Sequence, residues 1–408
     1  MKKKKRSTNI TDTDNTTAST EIKRERGNRE ENDTDGNEDT SKTMTKEGEG
    51  LVAFVPTMGF LHEGHLALVD EAKKYASHVV VSIYVNPSQF APGEDFDEYP
   101  RSLESDLKKL EQRGCVSAVF LPQDLYNHRK EEKTNVPHSS SPPPPDSHHQ
   151  TWVSVRDLEV PLCGVTRPHF FRGVATVVTK LFHIVEPDLA VFGRKDFQQL
   201  RVIETLVKEL DFPIAVVSVP IVREQDGLAM SSRNARLTER QRRDATCIYR
   251  ALNAAKQMLM DVDHEMDMHK HMKNTTTNNN PKKIKRDDGT QTGTQTGQEG
   301  GLSDVVKGFI SDAILRGRGR VDYVEVVNAN TLQPLSAKEE EHFLCLLKKK
   351  EKKKEKTEPA TTTTTTTSSS RSKLPSSGSG CCCCVLIAVA AFFGNVRLID
   401  NVTVTVTV

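Results

Sequence analysis

The chain has 408 residues and a formal net charge of +1, with 57 Lys and Arg against 56 Asp and Glu. That length has room for two ordinary domains, and the near-zero charge excludes a global field pulling the protein to nucleic acid or membrane. Hydrophobic residues at 35% and aromatics at 5% fall below a globular mix while charged residues reach 28%, so low-complexity stretches dilute an ordinary core.

The cysteines form neither a disulfide framework nor a metal-ligand spacing. Four are the run Cys381 to Cys384, and Cys115, Cys163, Cys247 and Cys345 are isolated. A reducing, cytoplasmic setting fits them. The run of lysines that follows Met1 has no apolar segment behind it, so it does not read as a secretory signal, and the acidic residues around it argue against a transit peptide. A nuclear address is the alternative to a solvated tail.

Residues 1–48 are polar and are expected to be disordered. An apolar run at 51–55 reads as a buried parallel strand, and Leu66, Leu68, Val69, Ala72 and Tyr75 mark a helix. Between them lies Pro56-Thr57-Met58-Gly59-Phe60-Leu61-His62-Glu63-Gly64-His65, a strand-to-helix turn. In an open α/β sheet such a turn lies where ligands bind. First-turn amides are expected to be free for phosphate oxygens, and the two histidines would hydrogen-bond a triphosphate or, if protonated, offset its charge. The competing readings are an exposed surface histidine and a metal pair, although no further zinc-ligand set follows.

A second apolar strand at 79–85 ends in Asn86-Pro87-Ser88-Gln89-Phe90. Asn86 and Gln89 can hold a small polar ligand there, or the segment is an Asn-Pro turn. A helix around Leu103, Leu107 and Leu110 and a strand at 117–121 follow. Residues 127–150 carry a proline tetrad and read as an insertion with no reason to pack. A helix is expected from Val174 to Val185. The strand at 188–193 then delivers Gly193-Arg194-Lys195-Asp196-Phe197-Gln198-Gln199 to the next helix. A strand at 214–219 leads through Val222 to Met230-Ser231-Ser232-Arg233-Asn234.

The alternation over 49–229 predicts an α/β fold with a doubly wound, Rossmann-like parallel sheet. Residues 230–408 are expected to form a smaller C-terminal α+β lid domain, with one helix over 240–260 and disordered insertions at 262–300 and 348–380. The apolar run near 381–393 falls short of the roughly 20 residues that span a bilayer. It reads as a buried strand, with S-acylated cysteines as the rival. The lysine tract at 348–356 reads as a solvated linker, with acidic lipid as the alternative.

Three groups should therefore meet at one sheet edge: the His62 and His65 turn, the 193–196 turn, and residues 230–233. Cations, hydroxyls and a bare glycine suit ATP chemistry. Without a Walker loop, attack at the α-phosphate is favoured over chemistry at the γ-phosphate. Taken singly, Lys195 and Asp196 also read as a helix-start ion pair, and Ser231 and Ser232 as helix caps.

At these residues the sequence resembles the pantothenate synthetase (pantoate–β-alanine ligase) family, within the His-x-Gly-His nucleotidylyltransferase superfamily. The motifs are Pro-Thr-Met-Gly-x-Leu-His-x-Gly-His at 56–65, Val-Asn-Pro-x-Gln-Phe at 85–90 and Tyr-Pro-Arg at 99–101. Lys-Asp-Phe-Gln-Gln at 195–199 and Asp-Gly-Leu-Ala-Met-Ser-Ser-Arg-Asn at 226–234 continue the likeness. Leu-Cys-Gly at 162–164 and the segment 170–182 resemble the plant and algal branch.

The resemblance implies an ATP site lined by Met58, Gly59, Phe60, Leu61, His62, Glu63, Gly64 and His65. Gly193, Arg194, Lys195, Asp196, Val222, Met230, Ser231, Ser232 and Arg233 would complete it. His65 would be a proton donor, acting with His62, Lys195, Ser231, Ser232 and Arg233, while Gln89 and Gln199, with Asn86 beside them, would hold pantoate and β-alanine. It further implies Mg²⁺, a pantoyl-adenylate intermediate and a homodimer. Two departures stand out: Arg194 replaces a glutamate common in bacterial members, and His169 is displaced by one place, so it inherits no role. A cytidylyltransferase-like enzyme and a non-catalytic ATP-binding scaffold are the rival readings.

Overall fold

The structure, a computed structural model, describes residues 50–91, 93–126, 149–260, 301–342 and 383–406. The polar tail, nearly all of the proline-rich insertion, the 262–300 and 348–380 insertions, and Cys381 and Cys382 lie outside these residues.

Five strands form one parallel sheet in the order β3-β2-β1-β4-β5. They are β1 (Val52–Thr57), β2 (His78–Ile83), β3 (Ala118–Phe120), β4 (Leu189–Gly193) and β5 (Ala215–Val219). The helices between them are α1 (Glu63–Lys73), α2 (Leu103–Arg113), the short α3 (Cys163–Thr166), α4 (Phe170–Val185) and α5 (Phe197–Glu209). Helices cover both faces, so the central strands read as continuous apolar runs. Ala53 and Val55 of β1 pack with α1, whereas Phe54 packs with α4 and α5 on the opposite face. Strand order reverses between β1 and β4, which pair directly. The turns leaving those two strands are therefore neighbours at the carboxyl edge, where open α/β sheets bind ligands.

The C-terminal part contains α6 (Glu239–Ala245), α7 (Cys247–Met260), α8 (Leu302–Arg316) and a sheet of β6 (Arg320–Asn328), β7 (Cys383–Phe393) and β8 (Val396–Val406). Both pairings in that sheet are antiparallel. The apolar run expected to be a buried strand is β7, and it is buried on both faces. Leu386 and Ala388 join the core shared with α4 and α5, while Val385, Ile387 and Val389 join that of α7 and α8. Strand periodicity assigns alternate residues to opposite faces, so each face has its own partner. No helix among the described residues is long and apolar enough to cross a membrane.

Three expectations shift. The single helix over 240–260 is two helices, broken at Thr246, whose hydroxyl donates to the Arg243 carbonyl (2.8 Å) instead of leaving the ladder intact. Helix α4 begins at Phe170, four residues before the expected Val174, because the turn after Pro168 sets its start. The packed chain already includes His149, whose ring meets Tyr126 and Trp152 edge-on, with centroids 4.9 and 5.1 Å away.

Candidate active site

A cavity of about 680 Å³ opens between the carboxyl edge of the parallel sheet and β8. Its first wall is the turn after β1. The hydroxyl of Thr57 donates to the Ser82 carbonyl (2.7 Å) and accepts the Gly59 amide (3.2 Å), folding the turn over β2. Phe60 is then left-handed, at φ 50°, a conformation costly for a non-glycine residue unless its surroundings impose it. Asp106 of α2 imposes it. Its carboxylate, 1% exposed, accepts the amides of Phe60 and Leu61, both at 2.7 Å. Lys109, one helical turn on, donates to the Leu61 carbonyl (2.6 Å).

This anchored turn presents His62 as the N-cap of α1. His62 Nδ1 accepts the Gly64 amide (3.1 Å), and His65 Nδ1 faces the His62 amide (3.4 Å). Both rings thus use Nδ1 as acceptor, leaving Nε2–H for a ligand. The rings stack with centroids 4.0 Å apart. Gly64 is needed because a Cβ there would lie 2.8 Å from the His62 ring. The expected free first-turn amides are a correction: Gly64 donates to His62 Nδ1 and His65 to the His62 carbonyl (2.8 Å). The cap occupies these two amides, so the phosphate contacts they would have made fall to side chains. The histidines are also not cations here. Burial, then Lys195, lowers His62 to about 4, and burial, then His62 and Lys195, holds His65 well below its usual value. As neutral donors they can still hydrogen-bond phosphate oxygens.

The second wall follows β4. Gly193, Lys195 and Asp196 line the cavity, and Lys195 Nζ lies 3.7 Å from Asp196, so the helix-start pair is present but long. The third wall is the 220–233 loop, folded back on itself by the Met230 amide donating to the Val222 carbonyl (3.0 Å). Ser231 caps a short 3₁₀ turn by accepting the Arg233 amide (3.3 Å), and Ser232 bonds the Tyr99 hydroxyl (3.2 Å). The capping role of Ser231 is therefore real, and Ser231 and Ser232 line the cavity as well. Arg233 is held by Asp95 through Nε and Nη2, both at 3.1 Å.

Gln89 lies against Met58, its Nε2 3.0 Å from the sulfur. Asn86 lines the cavity, yet its amide is committed: Nδ2 donates to Gln89 Oε1 (3.0 Å) and the Gly173 carbonyl (3.2 Å). Its Oδ1 accepts from Ser88 (2.9 Å) and Tyr126 (2.8 Å). Asn86 orients Gln89 rather than offering a free amide. Gly173 permits this packing, since a Cβ would sit 2.4 Å from the Ser88 carbonyl oxygen. Both adjacent glutamines line the cavity, but Gln198 is buried and committed, tying the amide of Cys163 (3.1 Å) to the carbonyl of Leu158 (2.9 Å). Arg167 bridges Glu94 (both contacts 2.8 Å) and the Gln89 carbonyl (3.0 Å), while His169 is exposed at the start of α4.

Met58, His62, Gly64, His65, Gly193, Lys195, Asp196, Val222 and residues 230–233 thus share one cavity with Asn86, Gln89 and Gln199. Gly59, Phe60, Leu61, Glu63 and Arg194 do not line it. Phe60, Leu61 and Glu63 border a shallower depression beside it, with Lys109 and Met230, and Arg194 turns to Ser218 (2.9 Å). Sequence reasoning missed Asp106 and Lys109. The available signal was spacing: Asp106 lies three residues after Leu103 and four before Leu110, on the same face of the helix.

A five-stranded parallel sheet with a His-x-Gly-His helix start at its switch point defines a doubly wound α/β protein with its ligand site at the carboxyl edge. Within that class, the family model described as pantoate–β-alanine ligase matches residues 32–354. The chain is 48% identical over 301 residues to a pantoate–β-alanine ligase of Lotus japonicus, spanning 72% of this chain and 85% of that one. It is 40% identical over 301 residues to the Arabidopsis thaliana pantoate–β-alanine ligase, with coverage of 72% and 85%. The crystal structure of pantothenate synthetase from Thermus thermophilus matches with a TM-score of 0.57 at 32% identity, covering 88% of this chain and 94% of that one. This chain belongs to the pantoate–β-alanine ligase family.

Proposed function

We propose that this chain condenses pantoate with β-alanine at the expense of ATP, releasing AMP and pyrophosphate through a pantoyl-adenylate. The observation that carries this reading is the shared cavity, with phosphate-binding residue types on the turns after β1 and β4 and on the 230–233 segment, and Gln89 and Gln199 in the same lining.

In the first step a pantoate carboxylate oxygen attacks the α-phosphorus in line and pyrophosphate leaves. No covalent enzyme nucleophile is needed, so catalysis is positioning plus stabilisation of developing charge. Gln89, set by Asn86, and Gln199 orient pantoate. Neutral His62 and His65 donate Nε2–H to phosphate oxygens, and the arriving triphosphate favours their protonated forms, which suits His65 as proton donor to the leaving group. Lys195, Ser231, Ser232 and Arg233 bind the remaining oxygens. In the second step the β-alanine amine attacks the acyl carbon and AMP departs. The mixed anhydride must be shielded from water, and the C-terminal sheet serves as the lid.

Among the described residues no group of three His, Cys, Asp or Glu is placed to hold a metal ion. Mg²⁺ carried on the triphosphate would keep several waters, and half-exposed Asp196, which lines the same cavity, would be a carboxylate within the site to hold it. Bound there, the ion would neutralise phosphate charge. A homodimer and a cytoplasmic location complete the proposal.

The test is a coupled assay on the purified chain. AMP and pantothenate should appear in equal amounts only when pantoate, β-alanine, ATP and Mg²⁺ are all present, and His65→Ala should abolish both. Turnover that required CTP or a phosphate ester would favour a cytidylyltransferase instead.

A further inference from the structure

Strand β8 carries Asp400 and Asn401 at its centre, 3% and 6% exposed. Its neighbours Val396, Leu398 and Val404 are core residues, so two buried polar side chains in succession break the local pattern. Such breaks mark functional or strained sites. Both side chains are held by partners outside the sheet. Asn401 Nδ2 donates to two successive carbonyls, those of Arg194 (3.0 Å) and Lys195 (2.9 Å). Asp400 takes Arg223 in a two-pronged pair, at 2.6 and 2.9 Å, and also accepts the Asn401 amide (2.8 Å).

The two residues face opposite ways, as strand geometry demands. Asn401 pairs with Ala388, which belongs to the core shared with α4 and α5, and Asp400 with Val389, which packs toward α7 and α8. One face of β8 therefore holds the turn after β4, and the other holds the 220–230 loop. Arg223 passes the second contact on: it donates to the Gly227 carbonyl (3.0 Å) and lies 4.4 Å from the Tyr249 ring. It also pairs across the loop with Ala229, directly before Met230.

We propose that Asn401 and Asp400 are positioning residues for the nucleotide half of the site, a splint on β8 that sets Lys195 from one face and the Val222 to Met230 loop from the other. The inference rests on the ATP-dependent reading above and deepens it: the C-terminal sheet helps to build the ATP site rather than only covering it. The carbonyls that Asn401 bridges fix the peptide planes on either side of the Lys195 Cα, and hence the direction in which its side chain leaves the backbone. Among neutral side chains only an amide supplies two donors to two adjacent acceptors.

The experiment uses the full chain with Asn401→Ala and Asn401→Ser, the serine retaining a single donor. Three quantities are measured: ATP affinity by calorimetry, the single-turnover rate of pyrophosphate release from ATP and pantoate, and the rate at which supplied pantoyl-adenylate reacts with β-alanine. Asn401→Ala should weaken ATP binding and slow pyrophosphate release by about tenfold or more, with serine intermediate. Transfer to β-alanine should stay within about twofold of the parent, which also shows that the variant is folded. Equal losses in both half-reactions, or unchanged ATP binding, would overturn the proposal. Weakened ATP binding in the variant beside a parent chain that binds ATP but makes no AMP would leave the splint standing and remove the ligase reading.

Discussion

Arg233 meets Asp95 in a two-pronged pair, both contacts at 3.1 Å, although 138 residues separate them. Arg236 joins the same carboxylate at 2.5 Å. Burial pushes the Asp95 carboxyl up, but Arg233 and Arg236 outweigh it and hold it below its usual value. The cation proposed for the triphosphate is thus already neutralised, and ATP must take it from Asp95. A part-exposed pair of this kind is worth on the order of 1 kcal/mol, or about fivefold in an equilibrium. Asp95→Asn should therefore lower the KM for ATP by up to about fivefold, whereas Arg233→Ala should raise it about tenfold or more. Steady-state kinetics with both variants checks this, and a rise in KM for Asp95→Asn would show that Asp95 aims Arg233 instead of competing for it.

Asp106 is the anchor of the turn that presents the histidines. Removing it leaves the amides of Phe60 and Leu61 without their acceptor beneath a left-handed Phe60. Asp106→Ala should cost about 3 kcal/mol in a denaturant titration, since hydrogen bonds to a charged group are worth roughly 1.5–3 kcal/mol each. Activity should fall further than stability alone explains, because His62 and His65 lose their placement. Near-normal kcat/KM in a folded Asp106→Ala protein would contradict this role.

The histidines predict how stability depends on pH. Burial keeps them neutral in the folded protein, with His62 at about 4 against 6.5 in the unfolded chain. Between those values the unfolded chain binds more protons, so folding stability is full above 6.5 and declines as pH falls toward 4. Melting curves across that window should show the decline, and His62→Gln should flatten it. A slope unchanged by that substitution would mean that other groups carry it.

Gly64 is needed for space next to the His62 ring. With a Cβ the ring must move, because the contact would be 2.8 Å. Gly64→Ala should lower kcat/KM by about tenfold to a hundredfold, as misplaced catalytic groups do. Alanine's higher helix propensity offsets the disturbed His62 cap, so melting temperature should change little. A large stability loss with intact kcat/KM would reverse that assignment.

The fold is legible in the sequence because its information is local. Apolar runs such as 51–55 and the turn residues that follow them fix strands and their carboxyl ends, and parallel pairing places β1 beside β4. The types of the site residues are legible for the same reason: His62 and Lys195 sit just beyond such runs, and Arg233 ends the loop that follows β5. Their partners are not. Asp106 reaches Phe60 across 46 residues and Asn401 reaches Lys195 across 206, contacts that exist only once helix α2 and strand β8 have docked. The expectation of free first-turn amides at α1 fails at Gly64 and His65 because a histidine cap takes them up from within the motif itself.

The most direct test of the account follows an oxygen atom. If pantoate attacks the α-phosphorus, one carboxylate oxygen leaves with AMP when the amine displaces it. Pantoate labelled with ¹⁸O in its carboxylate should therefore give AMP carrying one labelled oxygen per pantothenate formed. Unlabelled AMP, or ADP and phosphate as products, would contradict an adenylate intermediate and with it the central reading of this site.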